Sequence, residues 1–362
     1  MFSRRADWNP QINRFTVARE EHRRHGDELL DLTVSNPTRV GLPYPDDELA
    51  EAMSRAARAP YDPQPLGMAS AREAVANEIG CDAADIVITA STSESYSFLF
   101  KLLCDPGDAV LTAAPSYPLL EHLAALELIE VRSFPLEFHR RWELHPERVG
   151  DAITPRTKAI VIVNPNNPTG SYLRHDEQDA LASFGLPVIS DEVFFDYRFA
   201  AEIGGATQFS FTLGGLSKSC GLPHYKLGWM RVGGVEKRRV INALELIADN
   251  FLSVSTPVQE ALPDLLRIGA TIREAIRART RENLAVLRER LPSSITLLPV
   301  EGGWSAVLRI PRTDEDLAIE LLDKGVIVHP GYFFDFEREG YIVVSLLTQP
   351  DIFWEGIDRI RS

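Results

Sequence analysis

The sequence predicts an α/β fold with a large domain, built on a mainly parallel sheet flanked by helices, and a smaller α/β domain formed by the N- and C-terminal segments. In the first two thirds of the chain, short β-branched runs alternate with longer amphipathic stretches, which is typical of parallel sheets. A second, shorter alternation of the same kind follows a long helical stretch. A length of 362 residues with 44% apolar composition also favours two domains over one.

The large domain is predicted over residues 40–250. Its predicted strands are Asp85–Thr89, Ala109–Thr112, Lys158–Val163, Pro187–Ser190, Phe209–Leu213 and Leu227–Val232. Its predicted helices are Ser93–Leu103, Leu119–Leu128, His175–Phe184 and the segment Glu236–Asn250, which leads out of the unit. Amphipathic stretches between β-branched runs indicate crossover helices that cover the sheet.

The small domain is predicted over residues 251–362, with residues 1–39 packing onto it as an N-terminal segment. The predicted elements are helices Asn13–Arg24, Ala270–Arg290 and Asp314–Lys324, and strands Ile295–Leu298, Trp304–Ile310, Val326–His329 and Tyr341–Leu346. The spacing of apolar residues sets these boundaries only to about 2–4 residues.

Composition excludes several kinds of partner. The net charge of −14 argues against nucleic acid or an anionic membrane as the main partner. The cysteines, Cys81, Cys104 and Cys220, are scattered and form no CxxC pair, so reduced thiols in a cytoplasm are expected and no metal site is predicted. The N-terminal MFSRRADWNP lacks the apolar core of a signal peptide, and no apolar run reaches the length of a membrane span.

Different polar groups follow the predicted strands, where ligands bind in open parallel sheets. In chain order they are Ser91-Thr92-Ser93-Glu94, Pro115-Ser116-Tyr117-Pro118, Asn164-Pro165-Asn166-Asn167-Pro168-Thr169-Gly170, Asp191-Glu192 and Gly214-Gly215-Leu216-Ser217-Lys218. Taken singly, each has an ordinary interpretation as a helix cap, a turn, a loop or a solvated lysine. Their convergence at one edge favours a site.

The set suits one cofactor, pyridoxal 5′-phosphate. A helix N-terminus with hydroxyl groups holds a phosphate, and an aromatic ring stacks on a flat heterocycle. A carboxylate keeps a pyridine nitrogen protonated, so that the ring withdraws electrons. A lysine amine condenses with an aldehyde and moves protons afterwards.

These motifs resemble those of fold-type I pyridoxal-phosphate enzymes, in particular the class I/II aminotransferase superfamily. The resemblance covers nearly the whole chain, and its most specific parts are NPNNPTG, SDEVFFDY and GLSKSCGLPHYKLGW. It implies that Lys218 is the Schiff-base lysine and proton shuttle. The cofactor-binding residues that it implies are Thr92, Ser93, Tyr117, Asn167, Asp191, Ser217, Lys226 and, across a dimer interface, Tyr61.

Each of those residues has an implied task. Asp191 matches the partner of the pyridinium nitrogen, and Asn167 matches the donor to the phenolic oxygen. Tyr117 stands at the ring-stacking position. Thr92 and Ser93 match the phosphate turn, and Tyr61 matches the tyrosine that reaches the phosphate of a neighbouring subunit, which implies a homodimer with shared active sites. The implied substrates are an amino donor and a 2-oxo acid.

The sequence departs from the family pattern at several positions. Lys226 stands where an arginine usually binds the phosphate, and lysine lacks the two-pronged geometry. Phe194 replaces a tyrosine, which removes a hydrogen bond to the phenolic oxygen, and Gly215 lacks a hydroxyl often found three residues before the lysine.

The departure with the greatest consequence is Val343, which stands where an arginine grips the substrate α-carboxylate. Such a charge-assisted contact contributes about 1.5–3 kcal/mol. Either Arg39, Arg309 or Arg14 replaces it, or the substrate is unusual. The cluster Tyr332-Phe333-Phe334 either lines an apolar side of the pocket or belongs to the core.

Three functions therefore remain open at this point. The first is an aminotransferase that works through Lys218 and a pyridoxamine intermediate. The second is another pyridoxal-phosphate reaction, such as that of a β-lyase, a decarboxylase or an oxidase, because the altered positions normally hold transamination geometry. The third is a binding or regulatory protein with a degenerate site, which the complete lysine, aspartate and asparagine set disfavours.

Overall fold

The computed structural model describes residues 3, 5, 12–200 and 209–361. Most of the segment MFSRRADWNP, examined above for a signal peptide, lies outside these ranges. The strands are β1 (Leu30–Asp31), β2 (Ile86–Thr89), β3 (Ala109–Ala114), β4 (Glu130–Pro135), β5 (Glu137–Phe138), β6 (Trp142–Glu143), β7 (Thr157–Val163), β8 (Val188–Asp191), β9 (Phe211–Gly215), β10 (Gly228–Val232), β11 (Thr296–Leu297), β12 (Ser305–Arg309), β13 (Val326–Ile327), β14 (His329–Pro330) and β15 (Tyr341–Ser345). The α-helices are α1 (Arg14–His25), α2 (Asp46–Ala56), α3 (Ala69–Ile79), α4 (Thr92–Leu103), α5 (Leu119–Leu126), α6 (Pro146–Ala152), α7 (His175–Ser183), α8 (Leu216–Ser219), α9 (Lys237–Asp249), α10 (Thr256–Arg290), α11 (Asp314–Asp323) and α12 (Pro350–Arg361).

The central sheet positions the site. Its seven strands have the order β2-β10-β9-β8-β7-β3-β4. All pairs are parallel except those of β10, which is antiparallel to both β2 and β9. Strands β2, β3, β7, β8 and β9 therefore end at one edge, and β10 begins at that edge. The predicted fold class, with its mainly parallel sheet, is confirmed.

Helices cover both faces of this sheet because its strands are apolar on both sides. Val87 packs in one cluster with Leu99 of α4, whereas its neighbour Ile88 packs in another with Val75 of α3. Successive side chains of a strand point to opposite faces, so two apolar layers bury the strand completely.

The second sheet is antiparallel and has the order β11-β12-β15-β14. The single strand predicted over Val326–His329 is wrong, because the structure divides it. Val326–Ile327 pairs with Leu30–Asp31 of the N-terminal segment, and His329–Pro330 pairs with β15. The chain changes partner here, next to Pro330, which has no backbone N–H to donate to a ladder.

Helix α10 is longer than predicted, since it begins at Thr256 instead of Ala270 and contains Pro263. Sequence patterns treat a proline as a helix boundary, but packing holds this helix together. Leu265 lies in the core cluster beside the central sheet, and Leu287 lies in the cluster beneath the second sheet. The domain boundary at residue 250 stays a prediction.

Several elements were not predicted. They are α2, α3, α6, α12 and the short helix α8, the strand β1, the outer strand β4, and the hairpin made by β5 and β6. Within the described residues, no helix combines the length and apolar character that crossing a membrane would need.

Candidate active site

Asp191 ends β8 in the middle of the sheet edge, and its carboxylate is buried. One oxygen accepts a hydrogen bond from the Tyr96 hydroxyl at 3.0 Å, and the other accepts one from the Val193 N–H at 3.2 Å. Burial raises the pKa of Asp191 to about 6, although these bonds and the charge of Lys218 oppose that rise. The site thus contains a buried acid that needs a cationic partner to be fully charged.

Lys218 lies on α8, the short helix that follows β9, one strand away from Asp191. Its Nζ donates to the Ser35 carbonyl at 3.3 Å and lies 5.2 Å from the ring centroid of Trp304 and 5.9 Å from that of Phe194. Burial lowers the pKa of this amine, and the Asp191 carboxylate opposes the change. A lowered pKa increases the neutral, nucleophilic fraction of an amine.

The turn that supports Lys218 is fixed by hydrogen bonds on its other side. The Tyr197 hydroxyl donates to the Lys218 carbonyl at 2.5 Å, and Ser219 Oγ donates to the Gly215 carbonyl at 2.7 Å. The amine is consequently carried by a rigid turn, which is what a reacting group requires. Ser217 lies beside it in α8 and is partly buried.

The predicted phosphate turn is the start of α4. Ser91 is the N-cap, and its hydroxyl accepts from the Glu94 N–H at 3.3 Å. Thr92 and Ser93 are the first two helical residues, so their backbone N–H groups have no partner within the helix. They are partly exposed and sit at an end where anions bind favourably.

Strand β10 lies directly behind this turn. An added Cβ on Gly228 would come within 3.0 Å of the Ser91 backbone, so the close approach requires glycine. Lys226 precedes β10 and is exposed in a left-handed conformation with φ of 49°. The antiparallel direction of β10 therefore brings Lys226 to the same edge as the α4 N-terminus.

Asn167 follows β7 in the NPNNPTG loop and is partly buried. Its Oδ1 accepts from Ser305 Oγ at 3.3 Å, a contact that joins the two sheets. Neighbouring Asn166 organises the loop, because its Oδ1 accepts from the Thr169 hydroxyl at 2.8 Å and its Nδ2 donates to the Pro115 carbonyl at 3.1 Å.

The two predicted tyrosines are exposed. Tyr117 follows β3, is 51% exposed, and lies 6.3 Å from the Phe334 ring between centroids. Tyr61 is 75% exposed, which leaves its hydroxyl available to a neighbouring molecule. Asp191, Lys218, Asn167 and Tyr117 thus follow adjacent strands of one sheet edge, and Tyr61 lies outside that row.

Val343 is 1% exposed and packs with Trp142, Leu298, Val307 and Phe334. Phe334 is thus a core residue beside the site, and the ring of Phe333 contacts Phe15 edge-on at 6.2 Å. The place of the usual carboxylate-binding arginine is apolar and closed.

Two of the three suggested replacements for that arginine do not fit. Arg14 pairs with Asp316 at 2.9 Å on the outer helices. Arg309 lies four residues beyond Ser305 along β12, so the Cα atoms of these two residues are about 13 Å apart at the rise of a strand, and Arg309 lies away from the site. Arg39 is exposed and ends a 3-10 helix, Pro37–Arg39, that begins two residues after Ser35.

Some contributors could not be found from the sequence. Tyr96 lies four residues into α4 and is 95 residues from Asp191 in the chain. Ser305 begins β12 of the second sheet and Trp304 directly precedes it, whereas the sequence pattern there predicted only a strand. A further group, Glu137, His139 and His145, lies on and just after the β5–β6 hairpin, and Glu137 there is bound to Arg148 at 2.8 Å.

Comparisons with known proteins agree on one family. The model of the family "Aminotransferase class I and II" matches residues 28–352. The aspartate/prephenate aminotransferase of Thermus thermophilus is 28% identical over 94% of this chain and 92% of its own length. Nicotianamine aminotransferase 1 of rice is 32% identical over 57% of this chain, which spans only 46% of the rice protein.

Solved structures show the same fold. An alanine aminotransferase from Pyrococcus furiosus superposes with a TM-score of 0.88 at 23% identity, covering 100% of this chain and 98% of its own. The likeness at this identity is one of architecture.

Proposed function

Because the chain belongs to the class I and II aminotransferase family, we propose that it transfers an amino group between an amino donor and a 2-oxo acid with pyridoxal 5′-phosphate held at Lys218. The single observation that carries the proposal is the placement of a partly buried lysine, Lys218, and a buried carboxylate, Asp191, at the ends of adjacent strands. Lysine and aspartate are the two groups that this cofactor needs from a protein.

The residues present fit the cofactor. Asp191 is a buried acid without a full counter-charge, which a protonated ring nitrogen would supply. The first turn of α4, with Gly228 close behind it, offers free N–H groups for a phosphate, and Lys226 adds positive charge at the same edge. Ser217, Asn167 and Tyr117 complete the set that would contact the ring and its substituents.

Each residue then has a defined task. Pyridoxal phosphate, when bound, supplies an electron-withdrawing ring that stabilises negative charge beside the substrate amine. The Asp191 carboxylate holds a proton at the ring nitrogen. The Lys218 amine, whose pKa is lowered by burial, would move a proton between the substrate α-carbon and the cofactor C4′, the two carbons bonded to the substrate nitrogen. The buried ring of Trp304 and the partly buried ring of Phe194 shield that amine from water on one side.

Absorbance measurements test the reaction class. The protein loaded with pyridoxal phosphate should absorb in the visible range, lose that band with an amino donor, and regain it with a 2-oxo acid. Loss without recovery, together with release of ammonia or carbon dioxide, would contradict transamination and favour the lyase, decarboxylase or oxidase alternative. No cofactor absorbance at all would favour a degenerate site.

Borohydride reduction tests the lysine. Reduction of the loaded protein followed by peptide mapping should place the label on Lys218, and Lys218→Ala should carry none. Lys158→Ala is a matched control, because Lys158 is 39% exposed and pairs with Asp108 far from the sheet edge that holds the site. A label on another lysine would refute the assignment.

We also infer a homodimer with shared sites and a cytoplasmic location. The exposure of Tyr61 and the reduced cysteines support these two inferences. Mixing Tyr61→Phe and Lys218→Ala subunits should restore part of the activity, since one of the two hybrid sites would then be intact. Without any restoration, the sites are not shared.

A further inference from the structure

The face of the second sheet that borders the site has lost its usual polar contact with substrate. Ser305 and Ser345 are directly paired, as are Val307 and Val343, so all four side chains share one face. Ser305 reaches Asn167 of the cofactor loop, which shows that this face looks toward the site. Val343 continues the same row.

A carboxylate cannot be received at Val343. Val343 packs in one apolar core cluster with Trp142, Leu298, Val307 and Phe334, none of which carries a charge. His329 is paired directly opposite Val343, but burial lowers the pKa of its imidazole and keeps it neutral at neutral pH. A carboxylate placed here would lose its water without gaining a cation, which is strongly unfavourable.

The loop after β1 forms the opposite border of the site. The Ser35 carbonyl accepts from Lys218 Nζ at 3.3 Å, and the preceding Val34 carbonyl accepts from Ser345 Oγ at 2.6 Å. Further on, the Tyr44 hydroxyl donates to the Gly221 carbonyl at 2.5 Å. Both ends of the segment from residue 34 to residue 44 are thus held against the site.

Arg39 lies in the middle of this segment. Its N–H donates to the Asn36 carbonyl at 3.2 Å, so the chain turns and keeps Arg39 near Ser35. At the rise of a 3-10 helix, the Cα atoms of Asn36 and Arg39 are only about 6 Å apart. Among described residues, none pairs with the Arg39 guanidinium, which is exposed, whereas neighbouring Arg279 donates to the Val40 carbonyl at 2.9 Å.

We propose that Arg39 binds the substrate carboxylate from this loop, in place of the strand arginine whose position Val343 occupies. The substrate class is then a carboxylate-bearing amine, such as an α-amino acid, gripped from the loop after β1. The planar guanidinium supplies the two-pronged geometry that carboxylates favour. This inference rests on the proposed function, because it assumes that the amine reacts at Lys218.

The test compares substrates that differ only in the carboxylate. The loaded enzyme is mixed with alanine or ethylamine, and with phenylalanine or 2-phenylethylamine, and bleaching is followed against concentration. Arg39→Gln should weaken the apparent affinity for both amino acids about 10- to 100-fold while leaving the bleaching rate at saturation and the affinity for both amines unchanged. The apparent affinity of Arg39→Lys for the amino acids should lie between those of Arg39→Gln and the wild type.

Arg309→Gln is the matched control, since Arg309 is also exposed but lies at the far end of β12. Amino-acid affinities within twofold of wild type in Arg39→Gln would overturn the proposal. An equal loss of apparent affinity for the amines and the amino acids in Arg39→Gln would also overturn it. The same holds if the wild type binds each amine as tightly as the matching amino acid.

A binding measurement separates this proposal from the proposed function. Calorimetric titration of the loaded protein with 3-phenylpropanoate, which has a carboxylate but no amine, requires no reaction. Weaker binding to Arg39→Gln than to the wild type and Arg309→Gln would support Arg39 even if no amino group is exchanged. Equal binding to all three proteins would overturn it even if transamination is observed.

Discussion

Replacing Asp191 with asparagine should stabilise the cofactor-free protein near neutral pH. The two side chains have nearly the same shape, so the substitution removes the charge. The new amide keeps one oxygen to accept from the Val193 N–H, and its NH2 group can donate to the Tyr96 hydroxyl, which also accepts. The carboxylate is buried, and its pKa rises from 3.8 to about 6 on folding. The ionised form is therefore less stable in the folded protein than in the unfolded chain, and asparagine avoids that cost.

The size of this stability difference and its pH dependence follow from the difference in the Asp191 pKa between the folded and unfolded states. Below pH 3.8 the carboxyl group is protonated in both the folded and the unfolded state, so its ionisation does not lower the free energy of unfolding. Between pH 3.8 and about 6 the unfolded chain releases its proton first, so rising pH destabilises the wild type by about 1.4 kcal/mol per pH unit. Above pH 6 the difference stays constant, at roughly 3 kcal/mol in favour of Asp191→Asn.

Urea unfolding of the cofactor-free proteins at pH 4.5 and pH 7.5 measures this difference. Asp249→Asn is the control, because Asp249 is an exposed carboxylate at the end of α9. The advantage of Asp191→Asn should be small at pH 4.5 and near its maximum at pH 7.5. An equal advantage at both pH values, or a less stable variant at pH 7.5, would refute burial as the cause.

Three further predictions concern close packing. Gly228→Ala should weaken pyridoxal-phosphate binding about tenfold or more in a fluorescence titration, because the new Cβ would meet the Ser91 backbone at 3.0 Å. Unchanged affinity would contradict the proposed phosphate turn. Gly269→Ala should lower the free energy of unfolding in urea by about 1–3 kcal/mol, because the new Cβ would lie 2.5 Å from Cys220. Alanine favours helices more than glycine does, so a stabilised variant would show that the contact relaxes. Burial raises the pKa of the Cys220 thiol to about 11, so iodoacetamide at pH 8 should label Cys220 only when urea unfolds the protein. Mass spectrometry detects the label, and rapid labelling of the folded protein would show that the thiol is accessible.

The sequence predicted the parts of the candidate site that follow strands. Asp191, Lys218 and Asn167 could be located because a parallel sheet brings the ends of its strands to one edge. Tyr96 and Trp304 could not, because their contacts depend on how distant elements pack, which no local pattern encodes. The antiparallel direction of β10, which brings Lys226 to the α4 N-terminus, also depends on the assembled sheet.

The fold was predicted best where patterns are strongly periodic. The prediction missed the first part of α10, where Pro263 is accommodated inside a continuous helix because neighbouring elements bury the surrounding turns. The division of Val326–His329 was missed for a related reason, since β13 exists only because the distant strand β1 pairs with it.

Helix α10 has a consequence for how the protein unfolds. At about 1.5 Å per residue, its 35 residues span roughly 50 Å. Leu265 and Leu287, two thirds of the helix length apart, belong to the two different cores. If one core unfolds, α10 loses the apolar contacts that it makes there. The same helix packs against the other core, which is destabilised as a result. Calorimetry should therefore record one cooperative transition that involves both sheets, instead of two independent meltings.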